Sequence, residues 1–465
     1  MLRRKLLSIL PQLSSKPDLL SHLIHEVMSF DTSVREEWCY DGGNVVDGWM
    51  GLTWDILVKH SWFPQWLTIE KNFALSRYQE IVEATDSFEI DRDSDNSATS
   101  KPTFAAIRII DLLEAVTEDY RPLMAFHHKL QFLTEIQMGI FDMFYNRLDD
   151  ALIAFQQQTS AVGRIQGASR ETQANLFGIG GLERLCRIYG SADFLEGKMR
   201  DWSDDVFFVE LWDELHSRMQ GSDAGKHIAG PMTMEQVAER TSNALASDDG
   251  SGSLFDETAG AYRRLRVRAE DAMQDKLIYG VREALRPYGR LNAWDVAKHP
   301  ETGSLTPTAA LDSTQTYLAE HLSFLSKVLT SASLRRIGRQ TILAVQSFLW
   351  DKVLARKVFS TAGAAQFRRD IESIISTCNR CLGNGQAERG MGRLKEALVL
   401  LELPDEHLEE GSEGEDGVEI GLWEVERRIF EGNESARQTL EELGLVSLNA
   451  SDARDVLRRR VELQD

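Results

Sequence analysis

The stretch FGIGGLERLCRIYG, residues 177–190, sets Gly178, Gly180 and Gly181 in front of a helix-like run. Glycines in that position can cradle a phosphate, because bare backbone N–H groups at a helix N-terminus attract anions. A dinucleotide fold, however, delivers its glycine turn directly from a buried strand. Here the turn follows SRETQANLF, which is polar and helix-like; the third glycine of GxGxxG is missing, and no Lys-Ser or Lys-Thr pair follows. The spacing predicts a tight corner between antiparallel helices, with Leu182, Leu185 and Ile188 returning to a core, and no bound cofactor.

Cys378 and Cys381 form a CxxC in STCNRCLGNG, half of a zinc ribbon with no second pair nearby. Structural zinc takes four ligands and a redox CxxC belongs at the mouth of a βαβ unit, so these read as two cysteines one helical turn apart. His127 and His128 are adjacent and on a helix point about 100° apart, which prevents joint chelation. His22 and His25, at i and i+3, have a feasible geometry but no glutamate placed as in HExxH. One core-facing and one exposed histidine is expected in each pair, and no metal.

Carboxylates crowd WSDDVFFVELWDEL, residues 202–215. Ser203 is a suitable N-cap, which would set Asp204 and Asp205 in the first turn, where the helix dipole favours negative charge. Phe207, Leu211 and Leu215 then share one face, and Asp204 or Glu210 is left as a possible partner contact. No Ser-His-Asp or Cys-His arrangement has a recognisable local frame, so no catalytic residue is expected. Trp49, Trp54, Trp62, Phe63 and Trp66 crowd an early segment. They predict a helix pair interrupted at Pro64 with tryptophans between the helices; a tryptophan-lined partner groove is the alternative.

Helical periodicity dominates the elements that carry these residues. Phe126, Leu130, Leu133, Ile140, Phe144 and Leu148 recur at steps of three, four and seven, and Ile342, Val345, Leu349 and Val353 repeat the pattern. No train of alternating strands with hairpin turns interrupts them. The class is all-α. A chain of 465 residues exceeds what one core fills, so several packing units are expected. Gly, Pro, Ser and Asp concentrate at 94–103, 221–232, 247–253 and 299–308, and EEGSEGEDG at 409–417 reads as a solvated acidic linker. The expected division is 1–100, a Trp-rich and incomplete bundle; 101–298, a second bundle; 299–405, a C-terminal bundle; and 406–465, the linker with a short helical tail.

Lysine plus arginine number 52 against 73 aspartate plus glutamate, a formal net charge of −21. That balance repels phosphate backbones, so nucleic acid is not expected as the main ligand. Four cysteines in so long a chain do not form a disulfide framework, and Cys39 and Cys186 stand alone, which fits a reducing compartment. The start, MLRRKLLSIL, has too short an apolar run for a signal-peptide core, and no stretch reaches the ~18 to 20 apolar residues of a membrane span. Membrane contact is expected only through partners.

The strings WMGLTWDILVKHSWFPQWLTIEKNFALSRYQEIV, KPTFAAIRIIDLLEAVTEDYRPL, GIGGLERLCRIYGSADFLEGKMRDWSDDVFFVELWDEL and FSTAGAAQFRRDI resemble the Rint/Tip family of vesicle-tethering subunits, particularly its filamentous-fungal members. The resemblance runs from about Leu6 to Pro404. It implies an elongated rod of consecutive helical bundles, as in exocyst-type tethers, and no enzyme activity. It implies a subunit of the Dsl/NRZ complex, peripheral on the cytosolic face of the endoplasmic reticulum membrane, acting in Golgi-to-endoplasmic-reticulum retrograde transport.

The implied partners are a Sec20-type SNARE, a Dsl/ZW10-type tether subunit and the third complex subunit. Family members pair with the Dsl/ZW10-type subunit through a helix in a long N-terminal region. RRKLLSILPQLSSKPDLLSHLIHEVMSFD resembles an internal family segment, so that helix is expected to lie outside this chain. An adaptor in cell-cycle or DNA-damage checkpoint signalling, a role associated with animal relatives, is the alternative.

Overall fold

The computed structural model describes residues 1–40, 49–93, 99–160, 175–220, 227–229, 232–242, 252–292, 294–295, 306–404 and 421–464. The acidic linker expected at 409–417 lies outside them, and the other four expected breaks lie partly outside. Among the described residues the regular elements are helices apart from two short strands, β1 (His227–Ala229) and β2 (Met232–Thr233), paired antiparallel at the end of the break expected at 221–232. The chain divides into two compact units, Met1–Gly163 with Cys186–Ala269 and Arg164–Leu185 with Glu270–Asp465.

In the first unit, α1 (Leu2–Leu13) and α2 (Pro17–Glu36) lead to α3 (Gly51–Trp54), whose last turn widens into a π-helical turn at Asp55–Lys59. Next come α4 (Phe63–Glu83), α5 (Phe104–Tyr120) and α6 (Phe126–Phe132). The break before α4 falls at His60–Trp62 rather than at Pro64. Pro64 sits in the first turn of α4, where its missing N–H leaves no intrahelical bond unmade. Of the tryptophans, Trp66 alone is fully buried; Trp49, Trp54 and Trp62 stay partly exposed.

A second π-helical turn, Leu133–Gln137, joins α6 to α7 (Met138–Thr159). The extra residue turns Gln137 inward, where its amide accepts from Tyr120 Oη at 2.5 Å and donates to Thr117 Oγ1 at 2.5 Å and the Leu113 carbonyl at 3.2 Å. A buried amide satisfied on both ends costs little, whereas an unmet one would cost about 1–3 kcal/mol. The face from Phe126 to Leu148 read from the sequence is buried throughout.

Two long helices, α8 (Ile179–Ser203) and α11 (Asp256–Gly289), contribute residues to both units; α9 (Val206–Gln220) and α10 (Met234–Thr241) lie between them in sequence. Phe141, Trp202, Phe208, Phe255 and Tyr262 pack ring against ring in the first unit's core. The second unit continues with α12 (Asp312–Val328), α13 (Ser331–Leu349), a π-helical turn at Trp350–Leu354, and α14 (Thr361–Leu382). It ends with α15 (Gln386–Gly390), α16 (Gly392–Leu401), α17 (Leu422–Glu431), α18 (Asn433–Glu442) and α19 (Ala450–Leu457). Ile342, Val345, Leu349 and Val353 all face its core. Arg460, with no exposed surface, donates to the Leu401 and Leu403 carbonyls and to Glu462, tying the tail to the end of α16.

Candidate functional site

The glycine corner is a packing device. Gly178 forms a bend before α8, and Leu182, Leu185 and Ile188 are buried. A Cβ on Gly181 would lie 1.9 Å from the Leu176 carbonyl oxygen, whereas one on Gly180 would lie 3.3 Å from that of Asn175. Close backbone approach therefore requires the second glycine of the pair.

Cys378 and Cys381 are free thiols one turn apart on α14. Burial pushes the Cys378 thiol up to about 12 and raises Cys381 as well, the opposite of what a nucleophile or thiolate ligand needs. Cys186 is buried in the core and Cys39 is exposed.

His127 is exposed and His128 buried, as the spacing predicts. His128 stacks flat on Phe63, centroids 3.5 Å apart, and burial pushes its imidazole down to about 3, so it is held neutral.

The carboxylate-rich segment is capped differently from expectation. Ser203 ends α8, bonding back to the Met199 carbonyl at 2.8 Å, and Asp205 caps α9 by accepting from Phe207 N at 2.9 Å. An aspartate accepts the cap bond as well as a serine does, and here the preceding helix runs on through position 203. Phe207, Leu211 and Leu215 are buried on one face, as expected.

One constellation was only half visible in the sequence. His22 projects into solvent, but His25, half-buried on α2, faces Glu70 of α4 and Asp119 of α5. Its Nε2 lies 3.3 Å from Glu70 Oε1 and its Nδ1 3.7 Å from Asp119 Oδ1. Glu70 is buried, and its Oε1 also accepts from Ser21 Oγ at 2.5 Å and Trp66 Nε1 at 2.8 Å. The Trp66 ring meets His25 edge to face at 5.8 Å.

The bond to Glu70 raises the His25 imidazole above its usual value, against the opposing effect of burial. Burial works to raise Glu70, but the bonds from His25 and Ser21 hold it below the usual carboxylate range. Asp119, desolvated and facing Glu70 and Glu118, is pushed up to about 6 despite the nearby imidazole. Beside the cluster an open cleft of about 400 Å³ is lined by His25, Glu36, Glu37, Glu118 and Asp119 among others. Residue spacing could propose His25, but Glu70 and Asp119 are 45 and 94 positions away and carry no local signature.

The family model described as the RINT-1/TIP-1 family matches residues 1–460. The chain belongs to the RINT-1/TIP-1 family. The match extends beyond the Leu6–Pro404 span of the sequence resemblance, into the C-terminal tail.

Among family relatives, protein transport protein tip20 of Schizosaccharomyces pombe is 22% identical over 366 residues, covering 77% of this chain and 47% of its own length. The RINT1-like protein of Drosophila melanogaster is 23% identical over 469 residues, covering 99% and 53%. The chain thus spans about half the length of the curated relatives it matches. A crystal structure of the SNARE Sec20 bound to the Dsl1 complex subunit Tip20 superposes with a TM-score of 0.66 at 16% identity, over 98% of this chain and 68% of that one. The all-α bundle fold is therefore shared across nearly the whole chain. No helix among the described residues is long and apolar enough to cross a membrane.

Proposed function

We propose that this chain is a non-catalytic subunit of a vesicle-tethering complex for retrograde transport from the Golgi to the endoplasmic reticulum. On this reading it sits peripherally on the cytosolic face of the endoplasmic reticulum membrane, held there by partners. Those partners are a Sec20-type SNARE and the other complex subunits. The observation that carries the reading is the family match over residues 1–460, joined to a fold shared with Tip20 over 98% of the chain. Holding several partners needs length, packed bundles and exposed faces, and no activated nucleophile.

Affinity capture of the tagged chain from cytosol and detergent-solubilised membranes of its own organism tests this. Recovery of a Sec20-type SNARE is the expected result, with the other subunits accompanying it where assembly does not need the pairing helix expected outside this chain. Recovery of neither, or a nuclear signal without an endoplasmic-reticulum signal by microscopy, overturns it.

A further inference from the structure

We propose that His25, Glu70 and Asp119 form a binding site for a divalent transition-metal cation of the zinc type, entered from the cleft beside them. Three helices each bring one ligand-type side chain to this point, and one ligand atom of each lies within 4.8 Å of those of the other two. An imidazole nitrogen with two carboxylate oxygens is a donor set for zinc or manganese, whereas calcium takes six to eight oxygens.

The second layer is that of an oriented ligand. Trp66 Nε1 and Ser21 Oγ both donate to one oxygen of Glu70, which fixes the carboxylate plane, and the Trp66 ring fixes the imidazole edge-on. His25 Nε2 is hydrogen-bonded to Glu70 Oε1 at 3.3 Å, whereas Asp119 Oδ1, 3.7 Å from Nδ1, is beyond hydrogen-bond reach, so Asp119 is the loosely held member of the cluster. The imidazole now shows one nitrogen to each carboxylate. Binding therefore needs Asp119, whose side chain is 41% exposed, to swing onto the nitrogen that takes the ion.

Charge and access agree with a cation. The cleft wall carries Glu36, Glu37, Glu118 and Asp119 and no lysine or arginine, although Arg121 pairs with Glu118 at 3.2 Å from outside it. Its volume of about 400 Å³ leaves room for the waters that would complete coordination.

The test uses the full chain, stripped with a chelator and dialysed, titrated with zinc chloride by calorimetry and assayed for bound metal by mass spectrometry. One ion per chain is expected. His25→Gln and Asp119→Asn should each weaken binding at least about tenfold. His22→Gln, on the exposed side of the same helix, should leave it unchanged. Circular-dichroism melts establish which variants are folded; if His25→Gln is not, Asp119→Asn at the exposed edge decides. Absence of saturable binding overturns the proposal. So does binding that survives substitution in a folded variant, which marks adsorption to the acidic surface.

Discussion

Gly51 lies so close to Asp31 that a Cβ at that position would stand 2.4 Å from Asp31 Oδ2, and its φ of +93° is one that glycine alone adopts freely. The buried Asp31 carboxylate accepts from Leu52 N at 2.9 Å and Thr53 N at 2.7 Å, satisfying the first N–H groups of α3 from across the bundle. Gly51→Ala should therefore destabilise the first unit by about 2–4 kcal/mol, combining a left-handed backbone with a displaced cap. Gly197→Ala, with nothing within 4 Å of the new carbon, is the control. Equal urea midpoints for the two variants would contradict this account.

At the glycine corner the two neighbours should behave differently. Gly181→Ala drives a carbon into the Leu176 carbonyl and should cost about 2 kcal/mol or more. Gly180→Ala should stay within about 1 kcal/mol of wild type, because a modest shift relieves its contact and alanine favours the helix. Chemical denaturation of both variants orders them.

Two buried imidazoles make stability depend on pH. Burial pushes His128 down to about 3 and His321 down to about 4. A base whose folded value lies below its unfolded value of about 6.5 takes up its proton first in the unfolded chain. The stability it contributes is complete above pH 6.5 and is lost as the pH falls from there toward 3 or 4. At pH 5 each should have withdrawn about 2 kcal/mol. His128→Phe keeps the stack on Phe63 without the titration, so its melting temperature should drop less than that of wild type between pH 7.5 and 5.

In the second unit Asp370 collects four donors. Tyr288 Oη at 2.8 Å and Thr308 Oγ1 at 2.7 Å meet Oδ2, while Thr308 N at 2.7 Å and Gln366 Nε2 at 3.1 Å meet Oδ1. Asp370→Asn turns one acceptor into a donor facing donors and should cost about 1–3 kcal/mol. A urea midpoint within error of wild type would show that the bonds are dispensable.

Asp205→Ala removes the cap of α9 and its contact with Arg121 at 3.3 Å, and should cost about 1 kcal/mol. Ser203→Ala, at the end of the preceding helix, should cost less. The reverse order in thermal melts would restore Ser203 as the cap.

Local pattern was enough for much of the molecule. Periodicity placed Phe126, Leu130, Ile140, Phe144 and Leu211 on buried faces, because a helix repeats every 3.6 residues whatever it packs against. The same pattern placed Leu182, Leu185 and Ile188 after the glycine corner on a buried face and set Cys378 and Cys381 one turn apart on α14. Cap choice was less legible: Ser203 and Asp205 are both good N-caps, and where α8 stops depends on what it packs against.

Three features were decided by tertiary structure alone. The π-helical turn at Leu133–Gln137 is set by buried partners on α5, which the periodic pattern cannot show. Asp31 caps α3 from 21 positions away. Glu70 and Asp119 meet His25 only because α4 packs against both α2 and α5. Sequence spacing carries the geometry within one helix; which helices become neighbours is settled by burying their apolar faces together, and the polar residues beside those faces are brought along with them.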